Sequence, residues 1–546
     1  MRARLLATLS LAALLMTVAG CPRPADAPTA ELPSIQPRPA QPVTIPDVPR
    51  PAPDTFMIYL KFREPAATID RMGAWTELAQ PTLDAAALRQ HLAEMGIDAD
   101  RFHPGRDAVV AFWPQVGFQQ GGMPMGAILP LDPEDVAVDP GDIRVVPLEQ
   151  DQGVLLVSTA EERTMARVEA AGPAMLALLE APMAADIELF VDVEGLMTLY
   201  GPMMRMFIPG MMGMAGQDVS APMMEMVSVQ MTAALDMLDQ ARSAVLRADF
   251  GAEAVELSTV LDTKPGTPLS HALTAGPVLA PELPAYLDPA DWVVQITMRD
   301  LASTFEGILR YIEPMMPGEP DAADQIRRQL ASIERIGAMT SVQGISMAPG
   351  EVMQSEHVAT ADDPDAVMEL YRTMGLIFEE GPIHDLYAAM GIRMRVEQEA
   401  GRNVRGFTVE RYRMTIEASA QADVATRQMI EMMYPEPLMY EQALVGDFVV
   451  ATMGTTIDPL IGRLVEDRPG EPAPSVRAFP AGAVFYLDFD LAAQQRAMMA
   501  QITGQAPEPG PPAPVNVAGY HQGGRGWYRV QLTRGTIEAM TGRQVD

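Results

Sequence analysis

The chain has one cysteine, Cys21, in 546 residues, which excludes an intramolecular disulfide. It has only two lysines, Lys61 and Lys264, and all its other strongly basic side chains are arginines. Beyond the first 20 residues, the sequence contains no run of about 18 apolar residues, the length that a membrane-spanning helix requires. These absences exclude a disulfide framework, and they predict a body without transmembrane helices.

The signatures of common enzyme classes are also missing. The sequence has no GxSxG motif, no Walker loop and no GxGxxG after an apolar strand. Its six histidines include no HExxH motif and no pair four residues apart, and acid pairs such as Asp488 and Asp490 lack the glycine and distal glutamate of a calcium loop. We therefore expect no enzyme activity, no cofactor and no metal centre. The alternative is a hydrolase whose site is assembled from distant residues.

Acidic residues dominate the charge of the chain. Aspartate and glutamate together number 72 against 39 lysines and arginines, which gives a formal net charge of −33. A surface this negative repels nucleic acid and anionic headgroups, and it favours solubility, cationic partners or divalent counterions. We expect no nucleic-acid partner.

The first 21 residues have the layout of a secretory signal. Arg2 and Arg4 form a basic start, residues 5–18 are almost all apolar, and residues 18–21 (VAGC) place small side chains before a thiol. The apolar stretch is too short to cross a bilayer, so this pattern predicts a signal peptide rather than a spanning helix.

This segment resembles the lipobox signal of bacterial lipoproteins, with Val18 where that pattern most often has leucine. The resemblance implies that residues 1–20 are removed and that Cys21 becomes a lipidated N-terminus, carrying a diacylglycerol and often an N-acyl group. One acyl chain anchors weakly, whereas several chains attach a protein stably to a membrane. In a double-membrane cell the resemblance implies the periplasmic side of the outer membrane, because Pro22 is not the aspartate associated with inner-membrane retention. In a single-membrane cell it implies the outer face of the plasma membrane.

Residues 21–53 are predicted to be a lipidated cysteine followed by a proline-rich stalk. The stretch contains 11 prolines, and proline has no backbone donor and a fixed φ, so neither a sheet nor a long helix is expected. A polyproline-II-like chain extends by about 3.1 Å per residue, which gives a reach on the order of 100 Å at most. A second proline cluster, 507–514, predicts a surface loop.

Short apolar strands that lead into helices recur along the rest of the chain. Several alternate apolar and polar side chains, as half-buried strands do; they span residues 56–62, 187–193, 292–298 and 484–490. A second signature, in which a strand ends near a threonine before a helix, occurs at 157–159, 358–360 and 450–452.

Helix signals follow these strands. Thr360 and Asp363 resemble a weak capping box, and stronger versions pair Ser158 with Glu161 and Thr159 with Glu162. Apolar side chains at helical spacing predict helices over residues 301–312 and 365–378. The segment 391–418 predicts a β-hairpin with its turn at residues 401–403, which lie between two alternating runs.

These patterns predict an α+β protein with antiparallel or mixed sheets backed by helices. We expect two domains, 54–285 and 286–546, built from degenerate strand–helix modules and joined at the proline-bearing loop 277–289. The residues leave open whether the modules are true internal repeats or unrelated segments with the same arrangement of strands and helices.

Methionine is concentrated in residues 197–237. Three interpretations are open: core filling, a pliable surface for a lipid, peptide or other hydrophobic ligand, and a thioether site for Cu(I). Glycines and prolines within 201–216 are expected to break any long helix and to leave a mobile, methionine-lined loop or lid between two helices. The candidate ligand-binding residues are Met203, Met204, Met206, Met211, Met212, Met214, Met223, Met224 and Met226.

The function expected from the sequence is that of a lipid-anchored cell-envelope protein with a non-enzymatic ectodomain. The ectodomain would bind a hydrophobic ligand or act as a scaffold for an envelope protein. The alternatives are the envelope hydrolase and methionine-based copper binding.

Overall fold

A computed structural model describes most of the chain between residues 44 and 541. It leaves out residues 1–43, 48–55, 80–83, 114–124, 137–142, 149–152, 159–165, 215–230, 275–281, 313–321, 347–353, 467–481, 497–512 and 542–546, together with a few single positions. The expected signal peptide, Cys21 and nearly all of the stalk lie outside the described residues. Within these described ranges, no helix combines the length and the apolar character that crossing a membrane requires.

The described strands are β1 (Ile58–Phe62), β2 (Ala108–Phe112), β3 (Met125–Leu129), β4 (Ile143–Pro147), β5 (Val154–Ser158), β6 (Ile187–Val191), β7 (Ala241–Phe250), β8 (Ala254–Thr263), β9 (Trp292–Met298), β10 (Met339–Ser346), β11 (Gln354–Ala361), β12 (Ile392–Val404), β13 (Phe407–Ala418), β14 (Leu438–Val445), β15 (Phe448–Met453), β16 (Phe485–Asp490), β17 (Pro514–Gln522) and β18 (Arg525–Thr533).

The described helices are α1 (Pro65–Ala79), α2 (Ala85–Glu94), α3 (Gly172–Glu180), α4 (Val193–Met214), α5 (Pro268–Ala272), α6 (Leu301–Ile312), α7 (Ala322–Gln329), α8 (Ile333–Ile336), α9 (Pro364–Ile377), α10 (Pro382–Ala389), α11 (Val424–Met433), α12 (Asp458–Val465) and α13 (Arg534–Thr541). A further helical segment covers 234–240, and short 3-10 turns lie at Ala99–Arg101, Pro133–Asp135 and Leu283–Tyr286. The protein is therefore α+β, as the sequence predicts.

The described chain divides into two compact units. The first unit contains residues 44–214, 231–274 and 521–541, and the second contains 282–520. The domain boundaries expected from the sequence, 54–285 and 286–546, stay a prediction.

In the first unit, antiparallel pairing gives the strand order β4-β5-β3-β2-β1-β6-β7-β8-β18. One face of this sheet, which we call the back face, is covered by α3, where Met175 and Leu178 pack with Tyr59 and Phe190. The opposite face, the front face, carries α1, α2 and α4. Side chains alternate between the faces because successive strand residues point in opposite directions.

In the second unit, antiparallel pairing gives the order β12-β13-β14-β15-β11-β10-β9-β16-β17. Its back face is covered by α12, where Leu460 and Leu464 pack against Val358 and Val450. Its front face carries helices that include α7, α9 and α10, which bury the larger apolar cluster.

The two sheets share one strand order. If the strands of each unit are numbered in chain order, leaving out β8 and β18 of the first unit and the β12–β13 hairpin of the second, both sheets have the order 4-5-3-2-1-6-7. The first strand, β1 or β9, lies between the second and the sixth in each sheet. The four apolar strands found in the sequence are thus two adjacent antiparallel pairs, β1 with β6 and β9 with β16.

Two local predictions are wrong. The β12–β13 hairpin exists, but its turn lies at Arg405 and Gly406, whose φ values are 53° and 96°, whereas the pairing register shifts between Glu399 and Arg402 and makes an irregularity within the strand. The cap of α9 is Asp363, whose Oδ1 accepts the backbone N–H of Ala366 at 2.9 Å, rather than Thr360. Asp363 stands directly before Pro364, the first residue of the helix, whereas Thr360 lies within β11 and is too far ahead of the helix to cap it.

Candidate functional site

Four half-buried or exposed leucines form a strip on the front face of the first unit. Leu60, Leu189 and Leu246 lie in register on β1, β6 and β7, and Leu257 stands on β8 in the next row. We call these four residues the apolar strip. Leu246 is 44% exposed and Leu257 is 40% exposed, although both occupy strands within the sheet rather than loops. Aliphatic side chains in mid-sheet are normally covered by a packed layer, so the strip is unusual.

The helix α1 covers one end of the strands that carry the strip. Ile69 belongs to the buried cluster beneath this helix, and Phe62 packs against that cluster. Further along α1, Trp75 packs with Val255, and Phe250 lies against the pair. Phe62 lies in the same row as Leu257, and Phe250 and Val255 lie one row further from Leu246.

The helix α4 covers the opposite end of the same strands. Its residues Val193 and Met197 form a buried cluster with Leu235, and Val191 and Ala244 of the sheet pack against that cluster. Because α1 starts at the Phe62 end of β1 and α4 starts at the Val191 end of β6, the two helices enter the front face from opposite sides. The row of Leu60, Leu189 and Leu246 lies between the two helices.

The described methionines that were predicted to bind a ligand do not share one environment. Met204 packs against the cluster under α4, Met203 is half-buried, and Met206 is 71% exposed beside the exposed Phe207. Met211, Met212 and Met214 lie in the α4 backbone range, but their side chains are not described. Residues 223, 224 and 226, all methionine, lie outside the described residues.

The expected break in the helix is wrong. α4 runs from Val193 to Met214 without interruption and includes Gly201, Pro202 and Pro209. A proline in a helix removes one backbone hydrogen bond, and here the apolar packing of Val193 and Met197 offsets that loss. A methionine-lined loop or lid would fall in residues 215–230, which are outside the described part of the chain.

Ion pairs hold α4 beside the helical segment 234–240. One Arg205 nitrogen donates to Asp236 at 3.0 Å and to Asp239 at 3.1 Å. Met237 and Leu238 of the same segment are exposed. Large exposed apolar side chains therefore continue from the segment to Met206 and Phe207 on α4, and no charged residue occurs between Met206 and Gln217 in the sequence.

The second unit has equivalent positions on its own front face. Val294, Leu487 and Val517 lie in register on β9, β16 and β17, the counterparts of β1, β6 and β7, and all three are half-buried. In the neighbouring row, Trp292 and Phe489 stack with ring centroids 5.1 Å apart. Apolar side chains thus occupy this row in both units, but in the second unit none of the three is exposed.

Buried charges lie on the back face of the first unit, and the sequence patterns did not indicate them. Lys61, Glu188 and Arg247 follow one another in register across β1, β6 and β7. The Lys61 ammonium donates to the carbonyl oxygens of Leu178 at 2.7 Å and Ala181 at 2.5 Å, at the C-terminus of α3, where a cation is favoured by the helix dipole. Burial lowers the pKa of Lys61. The rarity of lysine in the sequence was a signal that could have marked this residue.

The described histidines do not form a catalytic arrangement. His357 lies 3.0 Å from the Tyr371 hydroxyl, and His521 lies 3.0 Å from the Tyr528 hydroxyl. Burial lowers the pKa of each of these two imidazoles to about 4, so both are neutral at pH 7. The carboxylates paired with His91, His103 and His384 are all more than half exposed.

A metal site receives no support from the described side chains. No group of three or more histidine, cysteine, aspartate or glutamate residues within the described ranges is arranged to hold a metal ion. Met203 and Met206 share one face of α4, but Met204 turns toward the buried cluster, so these three thioethers do not converge.

The chain was compared with protein-family models, with characterised proteins and with solved structures, and nothing matches it in any of the three comparisons.

Proposed function

We propose that the first unit binds a long aliphatic chain, such as the acyl chain of a lipid, along the apolar strip. The observation that carries this proposal is the exposure of Leu246 and Leu257 on strands inside a sheet whose two ends are covered by α1 and α4. Covering such side chains with an apolar ligand is favourable by about 25 cal/mol per Å² removed from water.

The shape of the strip favours a linear ligand. Leu60, Leu189, Leu246 and Leu257 succeed one another across β1, β6, β7 and β8, with Leu257 one row to the side. Neighbouring strands are about 4.8 Å apart, so the strip is about 15 Å long. None of these residues is charged, so an aliphatic chain that lies on them displaces water from apolar side chains and breaks no side-chain hydrogen bond. The exposed Met206 and Phe207 of α4 would contact the rest of the ligand, because methionine adapts to varied apolar shapes.

We also propose that the protein is held in the cell envelope by lipid on Cys21, on the periplasmic side of an outer membrane. The arguments are the basic, apolar and small-residue segments of residues 1–21 and the proline-rich stretch that follows. A tethered body with an apolar strip would be close to the lipids that it binds.

We propose further that the two units are separate domains derived from one duplicated ancestor. The shared order 4-5-3-2-1-6-7 supports this proposal, since a random arrangement of seven antiparallel strands has many alternatives. The helix between the fifth and sixth strands, α3 or α12, covers the same face in both units.

Native mass spectrometry of residues 21–546, purified without detergent, tests the ligand proposal. We expect a bound species with the mass of an acyl lipid that is released by organic solvent. A bound copper ion, or a protein that is empty in every preparation and takes up no added lipid, would contradict it.

A further inference from the structure

A row of polar residues crosses the front face of the second unit beneath α9. Glu410, Gln442, Ala451 and His357 lie in register on β13, β14, β15 and β11. The corresponding positions of β4, β5 and β3 in the first unit carry Val145, Leu156 and Ala127, which also lie in register but are apolar. The second unit therefore buries polar groups where the same sheet order elsewhere packs aliphatic side chains.

The carboxylate of Glu410 is fully engaged. It accepts hydrogen bonds from the guanidinium of Arg372 at 2.9 Å, from the Tyr412 hydroxyl at 3.2 Å and from the Gln442 amide nitrogen at 2.8 Å. This last bond fixes the orientation of the Gln442 amide, because the flipped amide would place its oxygen against a carboxylate. The amide oxygen of Gln442 therefore points away from β13, toward Ala451.

Two buried polar atoms in this row have no hydrogen-bond partner. They are the amide oxygen of Gln442, whose residue is 0% exposed, and the hydroxyl of Tyr440, whose residue is 8% exposed. Tyr440 lies two residues before Gln442 on β14, so both side chains point to the same face. Leaving two such groups unsatisfied costs free energy that a bound partner would recover.

The space for a partner is next to Ala451. This alanine lies in register between Gln442 and His357, and it is buried at the position where β5 of the first unit has Leu156. Alanine is smaller than leucine by three carbon atoms, and this difference is the room that we assign to a partner of the two unpartnered atoms. Tyr371 is bonded to His357 above this point and lies near Tyr440, so the surrounding wall is polar as well. A polar cavity of this kind holds water, whereas apolar cavities stay dry.

We propose that the second unit contains a specific internal water site bounded by Gln442, Tyr440 and Ala451, in which one water donates to the Gln442 amide oxygen and accepts from the Tyr440 hydroxyl. The water completes the hydrogen bonding of a polar row that links β13 to β11 under α9. It explains why the row keeps a glutamine and a tyrosine with no direct partner.

A crystal structure of the whole protein at high resolution tests the site directly. We expect a density peak at hydrogen-bond distance, about 2.6–3.2 Å, from both the Gln442 oxygen and the Tyr440 oxygen. A direct bond between these two atoms with no peak would overturn the proposal. A peak with the shorter distances of a metal ion, about 2.0–2.6 Å, would overturn it as well.

The sign of the stability change in Tyr440→Phe is an independent test. If the hydroxyl is bonded to a water, its removal lowers the thermal midpoint; if the hydroxyl is unsatisfied, its removal raises the midpoint. Tyr412→Phe is the matched control, because its hydroxyl donates to Glu410 and its loss lowers the midpoint in either case. In an Ala451→Leu background, where leucine displaces the water, we expect Tyr440→Phe to raise the midpoint. A raised midpoint for Tyr440→Phe alone would contradict the water site.

Discussion

Lys61 lies directly opposite Glu188 on the neighbouring strand, and both are buried on the back face of the first unit. The Lys61 ammonium donates to two carbonyl oxygens at the end of α3. The Glu188 carboxylate instead accepts a hydrogen bond from Arg247 at 2.8 Å. Lys61 thus joins the sheet to the helix that covers it. A guanidinium is larger and planar and does not reproduce three tetrahedral donors.

We expect Lys61→Met to destabilise the protein by about 3 kcal/mol, because it leaves the carbonyl oxygens of Leu178 and Ala181 without their donor and removes the cation that lies 3.8 Å from the Asp107 carboxylate. Lys264→Met is the matched control, since Lys264 is the only other lysine and its ion pairs, at 3.7 and 3.8 Å, are partly exposed. We expect a change of about 0.5 kcal/mol there. Urea unfolding followed by circular dichroism measures both. Equal effects of the two substitutions would refute the buried role of Lys61.

The neutral His357 predicts a pH dependence of stability. Because burial lowers its pKa from 6.5 to about 4, the unfolded chain binds a proton in this range that the folded chain does not. Stability is therefore complete above pH 6.5 and falls as the pH drops toward 4, by at most about 3 kcal/mol from this group.

The variant His357→Gln isolates that contribution. Glutamine can still bond to the Tyr371 hydroxyl, but it does not titrate. Thermal midpoints at pH 7 and pH 4.5 should fall less in the variant than in the wild type. Parallel losses in the two proteins would show that His357 is not the group responsible.

The continuous α4 predicts an unusual effect of a proline substitution. Pro202 cannot donate the backbone hydrogen bond expected of a residue inside a helix, so Pro202→Ala should stabilise the protein by about 1–3 kcal/mol. Pro268→Ala is the control, because Pro268 begins α5, where proline is well tolerated. If Pro202→Ala left thermal stability unchanged or lowered it, the helix would not continue through this position in solution.

The anchor proposal predicts the location of a Cys21 variant. Without the thiol no acyl chain can be attached, so Cys21→Ser should leave the membrane fraction and should not incorporate a labelled fatty acid. The wild-type protein should stay in the membrane fraction and should incorporate the label. A Cys21→Ser protein that still sediments with membranes, or a wild-type protein that takes up no label, would refute lipidation at this residue.

Local patterns in the sequence predicted much of the secondary structure. Alternation and apolar runs located β1, β6, β9 and β16 within one or two residues, and helical spacing located α6 and α9. These features depend on side chains within one short segment, which the sequence displays directly.

The strand order and the sites could not be predicted in this way. The strip forms only because Leu60, Leu189 and Leu246, which are far apart in the sequence, come into register. The buried row of Gln442 and His357 likewise depends on long-range pairing, and tertiary packing carried α4 through prolines that normally end a helix.

The most direct test of the central claim is a binding titration with a fluorescent fatty-acyl probe. We predict that the wild-type protein binds the probe and that Leu246→Asn/Leu257→Asn weakens binding more than tenfold, since each leucine contributes about 1 kcal/mol of apolar contact. Val424→Asn, which changes a residue that is 68% exposed outside the strip, should bind as the wild type does. Equal affinity of all three proteins, with folding confirmed by circular dichroism, would contradict the account.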